Sequence, residues 1–83
     1  MFSLRHTAAV RVVWDSLPDG ARREFEDALW LACEDPYKNT RPRSKDEHDV
    51  ERILALQHTV VAILLIDAKP VQRLYVRSLD YVE

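Results

Sequence analysis

The stretch Thr59-Val60-Val61-Ala62-Ile63-Leu64-Leu65-Ile66 carries no charge, no glycine and no proline, and it stops abruptly at Asp67. A short apolar run rich in β-branched residues and bounded by polar turns reads as a strand covered on both faces rather than as a helix, which is usually longer. Candidate strands flank it at Val50 to Leu56 and Val71 to Leu79, joined to it by connections of a few residues. Three strands so closely spaced form an antiparallel meander.

Before the meander the pattern changes to helical. Phe2 to Thr7 alternates apolar and polar residues and reads as a short first strand, and Thr7 suits a helix N-cap. Val10, Val13, Trp14 and Leu17 recur on one helical face, with Arg11 and Asp15 on the other. Leu17-Pro18-Asp19-Gly20 breaks this first helix, and the only glycine of the chain stands here. A second helix is expected from about Asp19 to Glu34, with Phe25, Ala28, Leu29 and Ala32 inward, and Pro36 ends it. Trp30, Leu31 and Cys33 widen its apolar surface beyond a single stripe, so this helix is either covered on more than one side or leaves a patch for a partner. The two helices form a hairpin that must lie on one face of the sheet.

The chain has 83 residues, enough for a single domain over 1–83, and its formal net charge is −2. Residues 1–34 hold four Lys/Arg against six Asp/Glu, and 35–49 and 50–83 each hold four against four. A protein that grips nucleic acid through phosphates is usually more basic, so any such binding must rest on a local patch. No apolar segment is long enough to span a bilayer, and the first residues lack the pattern of a signal peptide, so a cytoplasmic location is expected, with no membrane contact. The single Cys33 cannot form an internal disulfide and reads as a small core residue. His6, His48 and His58 are scattered without metal-ligand spacing, and one glycine cannot build a phosphate loop, so neither metal nor cofactor is expected.

Two stretches carry candidate chemistry. Asp35 to Asp49 is a 15-residue polar segment in which Arg41, Arg43 and Lys45 are followed by Asp46, Glu47 and Asp49. It reads either as a solvated, self-neutralising loop or as an RNA-contacting one. In Val71 to Leu79 the period of two puts Leu74 and Val76 towards the helices and Arg73, Tyr75 and Arg77 on the opposite face. Tyr81 joins that stripe if the strand continues, and Arg52 joins it from the neighbouring strand. Guanidinium groups at i and i+4 with a phenol between them at i+2, and a second phenol beyond, suit a phosphate-and-base surface, although an ordinary exposed strand face has the same composition. His58, in the turn between two strands, is a further acid–base candidate.

The order β-α-α-β-β-β, Leu17-Pro18 before a helix, Asp35-Pro36-Tyr37 after it and the closing Arg77-Ser78-Leu79-Asp80-Tyr81 resemble the RelE/ParE superfamily of small bacterial toxins. The resemblance covers nearly the whole chain. It implies an α+β fold: a helical hairpin packed on one face of a twisted, mostly antiparallel four-stranded sheet. In the RelE branch it implies a metal-independent endoribonuclease that cuts mRNA in the ribosomal A site by activating a 2′-hydroxyl against the adjacent phosphate. Arg73 and Arg77 would then stabilise the phosphate, Tyr81 or His58 would exchange the proton, and Arg52, Tyr75, Arg41, Arg43 and Lys45 would hold RNA. The ParE branch instead implies a non-catalytic inhibitor of DNA gyrase. Both branches imply a cognate antitoxin as partner; in the alternative, a non-catalytic binding module of the same fold, Trp14, Trp30 and Leu31 on the helical hairpin would engage a protein partner, antitoxin or gyrase.

Overall fold

A computed structural model describes residues 1–82. The fold is α+β. Its elements are β1 (Ser3–His6), α1 (Ala8–Ser16), α2 (Asp19–Glu34), α3 (Pro36–Asn39), β2 (Arg41–Pro42), β3 (Glu51–Ala55), β4 (Thr59–Ala68) and β5 (Val71–Tyr81). The strands form one sheet in the order β1-β5-β4-β3-β2, with β1 parallel to β5 and the other pairings antiparallel. The expected β-α-α-β-β-β order is present with two additions, α3 and the two-residue β2, both inside the polar stretch after α2. The sheet is therefore five-stranded and mixed rather than four-stranded.

Local chemistry sets the helix ends. Thr7 Oγ1 accepts from Val10 N at 3.1 Å and caps α1. Pro18 precedes α2 and Asp19 puts an acid in its first turn, where the helix dipole favours negative charge. At the far end Asn39 Nδ2 donates to the Leu31 and Asp35 carbonyls at 2.9 and 3.0 Å, a second bond to each beside the backbone N–H groups of Asp35 and Asn39.

The helical hairpin covers one face of the sheet. Val10, Trp14, Ala21, Phe25, Leu29 and Ala32 meet Leu54, Val61, Ile63, Leu65, Leu74, Val76 and Leu79 in a single buried cluster. Trp14 stands edge-on to Phe25 at 5.0 Å between centroids, and its indole N–H donates to Glu26 Oε2 at 2.8 Å. Glu24 ties α2 to the β3–β4 turn by accepting from the backbone N–H groups of Gln57 and His58 at 3.3 and 3.2 Å.

The central strand is not covered on both faces. Thr59, Val61, Ile63 and Leu65 are buried beneath the helices, whereas Val60, Ala62, Leu64 and Ile66 face the other way, with Val60 40% and Ile66 38% exposed. With one helical layer available, the second apolar row of β4 remains on an open face. Phe25, fully buried at the centre of the cluster, tests this arrangement. Phe25→Ala is expected to lower unfolding free energy by about 3–5 kcal/mol, and Trp30→Ala, at an exposed position, by no more than about 0.5 kcal/mol, both read from denaturant titration.

Candidate functional site on the open sheet face

The open face is assembled from alternate residues of four strands. Ser3 and Arg5 of β1 stand opposite Arg73 and Tyr75 of β5, and Tyr75 and Arg73 stand opposite Leu64 and Ile66 of β4. Ala62 and Val60 pair in turn with Ile53 and Ala55 of β3, and Leu64 with Glu51. The result is an apolar floor along β4 with arginines on both sides.

A one-residue bulge shapes the middle of β5. Ala62 pairs with Ser78 but Ile63 pairs with Val76, so Arg77 has no cross-strand partner. Arg77 reaches over β4 towards β3, where Nη1 lies 3.8 Å from Glu51 Oε1. Arg77, Glu51 and Arg43 line a depression of about 480 Å³ whose floor is Ile53, Val60 and Ala62 and whose side is Ser78. Arg43 is set there by its backbone N–H, which donates to the Glu51 carbonyl at 2.9 Å.

The bulge inverts the phase of everything after it. Leu79 pairs with buried Val61, and Tyr81 with buried Thr59, so Tyr81 lies on the helix side of the sheet and not in the Arg73–Tyr75–Arg77 stripe. His58 accompanies Tyr81 at that end, its carbonyl accepting from Val82 N at 2.8 Å. The sequence signal for the bulge is Leu79, since strict alternation from Leu74 puts a leucine among the arginines.

Arg73 and Arg77 share the face but not one depression. Arg73 lies with Arg5, Ser3 and Gln72, whereas Arg77 lies with Arg43 and Glu51. Four residues along a strand separate them by about 13 Å. Half-buried Tyr75 stands between, lining a third hollow with Leu64 and Arg77.

Arg52 departs most from expectation. Paired with buried Ile63, it faces the helix side and is only 2% exposed. Its Nε donates to Thr40 Oγ1 at 2.9 Å, one terminal nitrogen to the Glu47 and Asp49 carbonyls at 2.8 and 3.2 Å, and the other to the Tyr37 and Thr40 carbonyls at 3.1 and 2.9 Å. The guanidinium also lies 5.2 Å from the Tyr37 ring centroid. It has no room for RNA. Arg41 and Lys45, the rest of the basic cluster, are exposed, but Arg41 lines an edge groove with Lys38 and Leu56, away from Arg77.

On the helical side, Trp14 and Trp30 line an apolar groove of about 310 Å³ with Phe2, Leu4, Leu29 and Cys33. Trp30 is 60% exposed there, whereas Trp14 is buried and Leu31 is exposed outside the groove.

Three titrating groups are displaced. Asp49 is held below the usual carboxylate range, chiefly by the Glu51 backbone N–H and further by Ser44. Burial, followed by the hydrogen bond to Asp67, pushes the Tyr37 phenol up. Burial likewise raises Cys33.

Compared with known proteins, the chain matches no family model, no curated protein and no solved structure. Burial pushes the Cys33 thiol above its ordinary range, so the reactive thiolate is scarcer at neutral pH in the folded protein than in the unfolded chain. The stability this represents is fully present below the unfolded-state pKa and is lost as pH rises through the folded-state one. Thiol-specific reagents at neutral pH are therefore expected to label Cys33 at least about tenfold more slowly in the folded protein than in denaturant, with mass spectrometry reading the extent.

Proposed function

We propose that this chain is the toxin component of a type II toxin–antitoxin pair, of the RelE kind, and that its open sheet face engages mRNA in the cytoplasm. The observation that carries the reading is that the uncovered sheet face holds two arginine pairs, Arg43 with Arg77 and Arg5 with Arg73, flanking the apolar floor of β4 in a chain that is acidic as a whole. A local excess of guanidinium groups supplies phosphate contacts, and Tyr75 supplies a ring on which a base can stack. The element order and the Leu17-Pro18 and Asp35-Pro36-Tyr37 phrases support the same assignment.

In the proposed reaction a 2′-hydroxyl loses its proton, its oxygen attacks the neighbouring phosphorus, and the 5′-oxygen leaves and takes up a proton. Arg77, with Arg43 beside it, stabilises charge developing on the phosphate, and Arg73 holds the strand farther along. Glu51, the carboxylate beside Arg77, is the group on this face suited to accept the 2′-hydroxyl proton. His58, at the adjoining sheet end, is left with the return of a proton to the leaving group, and Tyr81, on the helix side of the sheet, takes no part.

A second reading rests on the Trp30 groove, a solvent-exposed apolar surface on the helical side. There the domain acts without catalysis, binding an antitoxin or a protein target such as gyrase.

Induced expression in a bacterial host, with primer extension on a translated mRNA, separates the two. The wild type is expected to arrest growth and cut within translated codons, and Arg73→Ala/Arg77→Ala to do neither while remaining folded. Arrest by both proteins without cuts, relieved by Trp30→Ala, would establish the protein-binding reading instead. Unhindered growth with folded wild-type protein overturns the toxin assignment in that host.

A further inference from the structure

Arg52 is a buried cation without a carboxylate partner. Among the described residues no acidic side chain lies within ion-pair distance of it, and its acceptors are the carbonyls of Tyr37, Thr40, Glu47 and Asp49 and the Thr40 hydroxyl. These acceptors bracket the segment that carries Arg43. Thr40 lies before it and Glu47 and Asp49 after it, so one guanidinium closes both ends of the same loop. Arg43 itself is attached to β3 through its backbone N–H and the carbonyl of Glu51, the residue preceding Arg52.

We propose that Arg52 is a positioning residue for RNA contact: buried on the far face of the sheet, it fixes the 40–49 loop so that the Arg43 side chain stands beside Arg77 on the open face. The inference rests on the proposed engagement of RNA by that face. Arg43 is exposed and carries a flexible side chain, so its contribution to phosphate binding depends on how much of its freedom is already removed. A planar fork with five donors can hold acceptors arriving from both ends of the loop, whereas a lysine ammonium has three donors at a single point. Arg52→Lys keeps the charge and loses the fork.

The test is binding of a short, fluorescently labelled single-stranded RNA, followed by anisotropy over a range of salt concentrations. The proteins are the wild type, Arg52→Lys, Arg43→Ala and the double variant. Arg52→Lys and Arg43→Ala are each expected to weaken binding by roughly five- to tenfold, and each to reduce the slope of log affinity against log salt by about 0.7, one single-strand phosphate contact. The double variant is expected to bind no more weakly than Arg43→Ala alone. Because Arg52→Lys conserves charge, a reduced slope reports the loss of a contact made by another residue, which general loosening of the fold does not produce.

If the double variant loses the product of the two single effects, Arg52 acts independently of Arg43 and the inference is wrong. Unchanged binding by folded Arg52→Lys overturns it as well. Should that variant fail to fold, Thr40→Val, which removes the Nε acceptor together with the hydroxyl's own bond to the Pro36 carbonyl, is expected to shift affinity and slope in the same direction by a smaller amount, and no shift there has the same adverse meaning. No RNA binding by the wild type overturns the RNA reading and this inference together, and that outcome is distinct from loss of the Arg52 effect alone.

Discussion

A sheet of five strands with a single helical layer has one face that must meet solvent, and this sets the character of the domain. A chain of this length buries only about 60% of the surface that its unfolded form exposes, and α1 and α2 commit their apolar faces to one side. β4 is nonetheless apolar on both sides: Val61, Ile63 and Leu65 lie beneath the helices, and Val60, Ala62, Leu64 and Ile66 do not. An uncovered apolar row would favour aggregation if it stood alone. Here Arg73 and Arg77 line it on one side and Arg43 and Glu51 on the other, keeping water at its margins. The same arrangement gives a surface that is apolar along its floor and charged along its rim, a combination suited to a flat ring carrying a phosphate. The acidic total of the chain does not oppose this, because Glu24, Glu26 and Asp27 belong to α2, on the other side of the sheet.

The second constraint is the burial of Arg52. Removing a guanidinium from water is costly, and a carboxylate partner usually offsets part of the cost. In this domain carbonyl dipoles do so instead, four of them together with one hydroxyl, and the Tyr37 ring faces the cation. The substitution of dipoles for an anion has a structural consequence. Carbonyls that α3 and the following turn would otherwise leave without donors are satisfied at one point, and a polar segment rich in charge becomes part of the packed domain. Tyr37 extends the connection by donating to Asp67 on β4, which also accepts from Gln72 on β5. Arg52 and Tyr37 together thus link the end of α3, the β2–β3 loop and the far end of the sheet.

Much of this is legible in the sequence, and the remainder is hidden for identifiable reasons. The helical spacing of Val10, Trp14 and Leu17, the Pro18 and Pro36 boundaries and the unbroken β4 run place α1, α2 and the meander, with Asp19 and Glu34 as the limits of α2. An apolar run cannot by itself tell a covered face from an open one, because both use valine and isoleucine; the outer row of β4 therefore looks buried in the sequence and is not. Arg52 looks exposed because arginines seldom lie fully buried, and its acceptors are main-chain atoms on which composition is silent. The bulge at Arg77 leaves one trace, Leu79 out of phase. A leucine can also stand singly on an exposed strand face, so only the register of β4 turns that trace into a bulge and moves Tyr81 to the helix side of the sheet.

The bulge also decides what kind of ion pair the site contains. Freed from the ladder, Arg77 crosses β4 to Glu51 and stops at 3.8 Å, with both side chains substantially solvated. An exposed pair of this kind is worth about 0–1 kcal/mol, far less than a buried, hydrogen-bonded one. Phosphate oxygens form shorter, charge-assisted bonds with guanidinium and compete readily for Arg77. Occupation by phosphate would then leave Glu51 without its cation, beside the newly bound group and available as a proton acceptor. A tight bidentate pair in the same place would hold both residues out of use. On the proposed reading, the looseness of this contact is what would let one depression both bind an anion and keep a carboxylate free to act on it.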